Sequence, residues 1–194
     1  METKNINWGI FMIVFLLEEK SMEALLNEIL PQILGNEPFL LIPHEGKGDL
    51  LQSIPRKLKG WPREDTSFVI VHDQDANDCM QLKEKILDIC KPYNRKVLVR
   101  IVCRELESWY FGDLDAVEAA YGKSLKSLRN RSKYRIPDII IDPKSAIKKV
   151  LPELTQIDGA RRIGKHMLID KNSSHSFHVF VDGVRSICME RETT

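Results

Sequence analysis

Four consecutive apolar residues, Phe68 to Val71, run directly into His72-Asp73-Gln74-Asp75, so an apolar strand ends in two carboxylates one residue apart. An unbroken apolar run suits a strand buried on both faces, as in a parallel sheet, because a strand with one wet face would alternate. From Asp78 to Cys90 apolar residues recur at 79, 82, 86, 89 and 90, which is helical spacing. The unit is therefore strand, acidic turn, helix. In open α/β sheets the loops at the carboxyl ends of the strands form the ligand crevice, which puts Asp73 and Asp75 where chemistry is expected. Two residues apart, they share one side of an extended backbone.

The same grammar repeats on either side. Gly9 to Leu17 is an apolar run rich in Ile, Val and Phe that stops at Glu18 and Glu19. It is too short to span a bilayer, and with only Lys4 before it and no small-residue cleavage site after it, it does not fit a secretion signal. Ser21 to Leu34 then carries a helical apolar stripe, with Ser21 in position to cap it and Pro31 expected to bend or break it. A short strand, Pro38 to Pro43, leads into His44-Glu-Gly-Lys-Gly-Asp49, a glycine turn that lacks the order and spacing of a P-loop. Asp49 to Leu58 suits a helix that Pro55 bends or ends, and Lys57, Lys59 and Arg63 gather around Trp61. Arg95 to Cys103 is a fourth strand, and Arg104, Glu105 and Glu107 follow it.

Strand alternating with helix four times implies a parallel sheet with right-handed crossovers, and all strand carboxyl ends then lie along one edge. Glu18, Glu19, Asp73, Asp75, Asp78, Glu105 and Glu107 would converge there. Any single acid after a strand is adequately explained as a helix cap; acidic groups at three successive junctions are not. Two carboxylates about 5 Å apart repel by roughly 3 kcal/mol at an effective dielectric of about 20, a cost that a divalent cation removes. Oxygen ligands without His or Cys at metal-binding spacing favour Mg2+ or Mn2+ over zinc. Without metal, at least one carboxyl of such a cluster should stay protonated well above its ordinary range.

At 194 residues with formal net charge +1, the chain has room for a sizeable core and no overall field that recruits or repels nucleic acid. Four cysteines at 79, 90, 103 and 188 lack paired spacing, which suits reduced thiols in a cytoplasmic protein. Beyond Gly112 the sequence suggests helical decoration of the sheet. It has a helix at Leu114 to Tyr121 and a basic, poorly periodic and mobile segment at Leu125 to Arg135, then a helix opened by Pro143 and a last helix at Ser176 to Met189 capped by Ser174. Residues 1–112 would form the α/β core and residues 113–194 an extension packed on it, within a single domain. Arg161, Arg162 and Lys165 suit phosphate oxygens, although an exposed helix turn explains them equally well; Lys47 and Arg104 are further candidates for phosphate binding. His166 and His178 are weaker candidates for proton transfer.

A glutamate after the first strand with an acid four residues on, followed by Asp-x-Asp after a later strand, resembles the Toprim domain of topoisomerases, primases and OLD-type nucleases. Glu19 with Glu23 matches the first motif, and Asp73 with Asp75 the second. Lys20 stands where a glycine normally follows the glutamate, which leaves open whether Glu18 or Glu19 is the equivalent acid. From about Phe11 to Arg185 the chain also looks like a small bacterial Toprim-like family encoded beside AAA or ABC-type ATPases, for which phage defence is a proposed setting. The stretches that carry this likeness are 18–23, 46–49, 73–75, 103–110, 159–163 and 176–185.

The resemblance implies a Mg2+- or Mn2+-dependent nuclease of DNA or RNA, with Glu19, Asp73 and Asp75 catalytic, Glu18, Asp78, Glu105 and Glu107 completing the acidic shell, and an ATPase as partner. Two other classes remain open: a non-catalytic Toprim-like sensor subunit of an ATPase complex, and a nucleotide phosphohydrolase. A homo-oligomer is compatible with either, and no membrane association is expected.

Overall fold

A computed structural model describes residues 11–192 of the chain. The four apolar runs form β1 (Ile13–Leu17), β2 (Phe39–Pro43), β3 (Ser67–Asp73) and β4 (Lys96–Val102), all parallel in the order β2-β1-β3-β4. Gly9 and Ile10 of the expected first strand lie outside the described residues. Every residue of the central strands β1 and β3 is buried, as their unbroken apolar runs require, whereas the edge strands β2 and β4 are partly open.

Side chains alternate between two cores. Ile13, Phe15, Leu17, Val69, Val71 and Val102 point into the larger one. It is closed by α1 (Lys20–Leu34), α4 (Glu107–Gly112), α5 (Leu114–Tyr121), α8 (Gln156–Gly164) and α9 (His175–Glu192). Val14, Leu16, Phe68, Ile70, Val99 and Ile101 face the smaller core, under α2 (Lys47–Gly60) and α3 (Cys79–Cys90). A four-stranded parallel sheet flanked by helices on both faces is thus the architecture, α/β as the alternation implied.

Several boundaries differ from the sequence expectation. Glu19, not Ser21, occupies the N-cap position of α1, and the Ser21 hydroxyl inside the helix donates to the Glu19 carboxylate. Neither Pro31 nor Pro55 ends its helix: α1 continues to Leu34 and α2 to Gly60, because the apolar faces on either side of each proline remain buried. Segment 125–135, expected to be mobile, folds into α6 (Lys126–Arg129) and a 3-10 turn, anchored by buried Leu125 and Leu128. Before it, α5 spans the expected residues. The helix opened by Pro143 is α7 (Pro143–Lys148), capped by Asp142, whose Oδ1 accepts from the Ser145 N–H at 2.9 Å. Ser174 caps α9, its Oγ accepting from the Phe177 N–H at 3.2 Å.

Two close approaches hold the later helices to the sheet layer. Gly164 of α8 lies against α1, where a Cβ would come within 2.9 Å of Glu28 Cβ. Gly183 of α9 packs under the Arg100 guanidinium of β4, which a Cβ would overlap, and Arg100 Nε donates to the Val179 carbonyl at 2.9 Å. No helix among the described residues is long and apolar enough to cross a membrane.

Candidate metal and phosphodiester site

In the order β2-β1-β3-β4 the chain steps from β1 to opposite sides, so the gap between the ends of β1 and β3 is the topological switch point. The register sets the acids around it. β1 ends with Leu17 opposite Val71, whereas β3 runs on two residues and still pairs Asp73 with Val102 of β4. Glu18 occupies the space where β1 stops: its Oε2 accepts from the Asp73 N–H at 3.0 Å and from His72 Nδ1 at 3.0 Å. Burial opposes charge on His72, but the hydrogen bond and negative charge of Glu18 outweigh it and the imidazole pKa is raised. His72 is a site residue that sequence reasoning passed over; its signal was a histidine interrupting an otherwise apolar strand.

Asp73 and Glu107 are the two buried acids of this cluster. Asp73 is 8% exposed, and its Oδ1 is buried without a hydrogen-bond partner, as are His72 Nε2 and Ser108 Oγ nearby in sequence to Glu107. Burial pushes the Asp73 carboxyl well above the usual range, and the charges of Glu18, Glu19, Glu107 and Asp75 push it further. Glu107 opens α4, is 6% exposed, and is raised to about 7, chiefly by burial. Glu105 is raised by burial too; its Oε2 accepts from the Lys144 N–H at 3.4 Å, at the start of α7. Asp75 forms an ion pair with Lys47 at 3.1 Å, and Gly46, with φ of 101°, starts α2 so that Lys47 stands beside the site.

The loops after β3 and β4 are locked together. Gln74 N–H donates to the Val102 carbonyl and Asp75 N–H to the Arg104 carbonyl, each at 2.8 Å, while the Arg104 N–H donates to Gln74 Oε1 at 3.1 Å. Asp75 and Arg104 both adopt left-handed backbone, with φ of 53° and 63°. Side chains bearing a Cβ seldom take that conformation, and such strain concentrates at functional sites.

Sequence candidates fall into two groups. Glu18, Glu19, Asp73, Asp75, Glu105 and Glu107 lie close enough to act on one another's ionisation, and Lys47 and Arg104 border them. Asp78 instead caps α3, its Oδ1 accepting from the Gln81 N–H at 2.9 Å. Arg161, Arg162 and Lys165 sit on the exposed side of α8. Its first residues, Gln156 and Ile157, line a crevice of about 410 Å³ with Glu19 and Gly46, and its last, Gly164, lies against Leu25 and Glu28. Arg162 is engaged by Asp158 at 2.8 Å. His166 follows α8 and His178 lies on α9 against Phe177, neither in hydrogen-bond contact with the acids.

The donor set fits a hard divalent cation in its chemistry: carboxylate oxygens only, one of them buried and unpartnered. As placed, no three His, Cys, Asp or Glu side chains among the described residues surround a common point.

The fold has solved counterparts. The C-terminal region of the OLD protein of Xanthomonas campestris pv. campestris superposes with a TM-score of 0.53 at 11% identity, over 93% of this chain and 97% of that one. The C-terminal region of the Burkholderia pseudomallei OLD protein gives 0.52 at 14% identity, over 90% and 97%. These likenesses define the class: a Toprim-like α/β fold of the OLD C-terminal type. The chain belongs to the family described as Domain of unknown function (DUF4276), whose profile matches residues 17–185. No curated protein matches the sequence.

Proposed function

We propose that this protein is a Mg2+- or Mn2+-dependent phosphodiesterase that cleaves DNA or RNA, as the effector of an ATPase-linked anti-phage system. The observation that carries the reading is Asp73. A buried carboxylate with an unpartnered oxygen, surrounded by four further acids at the switch point of a parallel sheet, is costly unless a cation enters. The OLD-type fold supports the same direction.

Asp73, Asp75 and Glu19 would hold the ion, with Glu18, Glu105 and Glu107 around them. A bound divalent cation supplies neutralisation of phosphate charge and a lowered pKa for water. Glu18 fixes the Asp73 backbone and the His72 ring, so the loop after β3 is set before any ligand arrives. Glu107, with its carboxyl raised to about 7, exchanges a proton near neutral pH and suits proton transfer to or from water or a leaving oxygen. Lys47, paired with Asp75, and Arg104, whose backbone is bonded to Asp75 and Gln74, would meet phosphate oxygens.

The test is incubation of the protein, alone and with the neighbour-encoded ATPase, with plasmid DNA and tRNA in Mg2+ and Mn2+. Metal-dependent cleavage is expected, abolished by Asp75→Ala and by Asp73→Asn. Cleavage by either variant at the wild-type rate would overturn the assigned chemistry, and no cleavage under any condition would leave a binding subunit instead.

A further inference from the structure

A net charge of +1 conceals a polarised chain. Nine of the 29 basic residues and only two of the 28 acidic ones fall within residues 123–149, so this stretch carries +7 and the rest of the chain −6. Both acids in it are occupied as caps: Asp138 accepts from the Ser174 and Ser176 hydroxyls and the His175 N–H at the start of α9, and Asp142 caps α7. Lys123 and Arg129 are held in ion pairs, with Glu153 and with Asp115 and Glu118. Arg131, Lys133, Arg135, Lys148 and Lys149 are exposed and take part in no ion pair among the described residues.

Two of these cations, Lys133 and Lys149, line a groove of about 370 Å³. Its floor is Tyr134, Ile139, Ile140 and Ala146, and Lys133 and Lys149 stand at its rim. Ile139 is 62% and Ile141 84% exposed, an unusual concentration of bare aliphatic surface amid positive charge. The groove's far wall is Asp142 and Ser145, the turn of α7 whose Lys144 N–H reaches Glu105. The groove therefore adjoins Glu105, the outermost point of contact with the acidic cluster.

We infer that the α6–α7 surface is a binding track for single-stranded nucleic acid, in which Arg131, Lys133, Arg135 and Lys149 take the phosphates and the isoleucine-lined groove takes an unstacked base. Cations alone would suit any polyanion. The apolar floor decides for a single strand, because a duplex keeps its bases stacked inside and could offer only phosphates. A protein partner is disfavoured by the density of unpaired positive charge around so small an apolar area. The inference deepens the nuclease reading by assigning its substrate class and path, yet it concerns binding, so it can be tested without cleavage.

Fluorescence anisotropy of a labelled single strand of about 20 nucleotides, longer than a typical single-strand site, would be titrated with full-length protein in EDTA across a range of salt, beside the matching duplex and an RNA strand. The wild type should prefer single strand to duplex. The quadruple variant Arg131→Gln, Lys133→Gln, Arg135→Gln, Lys149→Gln should bind about tenfold or more weakly, with a salt slope shallower by about 2 to 3, since each phosphate contact to a single strand contributes about 0.7. Ile139→Ser with Ile141→Ser should weaken single-strand binding and leave duplex binding unchanged. Lys57→Gln with Lys59→Gln, near Trp61, should change nothing. Wild type that binds no strand, or a quadruple variant that binds like wild type, would overturn the track. Equal binding of duplex and single strand would overturn the assigned substrate class. Binding in EDTA with no cleavage in Mg2+ or Mn2+, either alone or with the ATPase supplied, would refute the nuclease reading and leave this inference standing.

Discussion

Replacing Glu107 with glutamine should stabilise the metal-free protein at alkaline pH and hardly change it in acid. The glutamate is 6% exposed and its carboxyl is raised from 4.5 to about 7, mainly by burial. Between those values the folded state keeps a proton that the unfolded chain has released, so the stability that Glu107 contributes is present at low pH and lost as pH rises through that window. With about 1.4 kcal/mol per unit, the loss between pH 5 and pH 8 is roughly 2 to 3 kcal/mol. For a chain of this size that corresponds to about 5 to 10 °C in melting temperature. Glu107→Gln retains the shape and removes the ionisation, so its stability should fall less with pH by that amount. Urea unfolding in EDTA at both pH values measures it. Parallel pH profiles for wild type and variant would refute the claim that Glu107 is held protonated by its surroundings.

Gly164→Val should destabilise by about 2 kcal/mol or more, because its side chain would overlap Glu28 Cβ, which is fixed to the α1 backbone and cannot swing aside; a melting curve like that of wild type would contradict the contact. Arg104→Gly should change stability by less than about 1 kcal/mol, since glycine's ease at φ of 63° offsets its greater freedom in the unfolded chain. The same variant should raise KM for a nucleic-acid substrate, and an unchanged KM would remove Arg104 from phosphate binding. If an ATPase is encoded beside this chain, as the proposed function expects, co-expression should yield one co-eluting peak in size-exclusion chromatography; two independent peaks with vigorous cleavage by this chain alone would refute the partnership.

Much of the fold was legible because its signals are local. The unbroken apolar runs at 13–17 and 68–71 can only be satisfied by burial on both faces, and the helical stripe after each leaves a parallel sheet as the economical arrangement. The acids at strand ends were legible for the same reason, as strand direction alone brings Glu18, Asp73 and Glu105 to one edge. Features that depend on distant contacts were not legible. Asp78 could as well face the site as cap α3, and only the Gln81 N–H decides between them. Arg161 and Arg162 fitted phosphate ligands and an exposed helix turn equally well in sequence, and the packing of Gly164 against Glu28 puts both on the solvent side of α8 without deciding between the two. Glu18 and Glu19 were indistinguishable by motif; the structure ties Glu18 to the Asp73 N–H and His72, and Ser21 to Glu19. The polarised basic stretch was visible in the sequence as composition. Its meaning emerged when the two acids within it proved to be caps and a groove opened beside Lys133 and Lys149.

The proposed function requires a divalent cation held by Asp73, Asp75 and Glu19. Titration of Mn2+ into the protein, followed by the electron paramagnetic resonance signal of free Mn2+, tests that directly and needs neither substrate nor partner. Wild type should suppress the free signal with a saturable site, and Asp73→Asn and Glu19→Gln should each weaken it by about tenfold or more, as loss of a charged ligand from a carboxylate site requires. Suppression of equal strength in wild type and both variants, or none in wild type, would contradict the central claim.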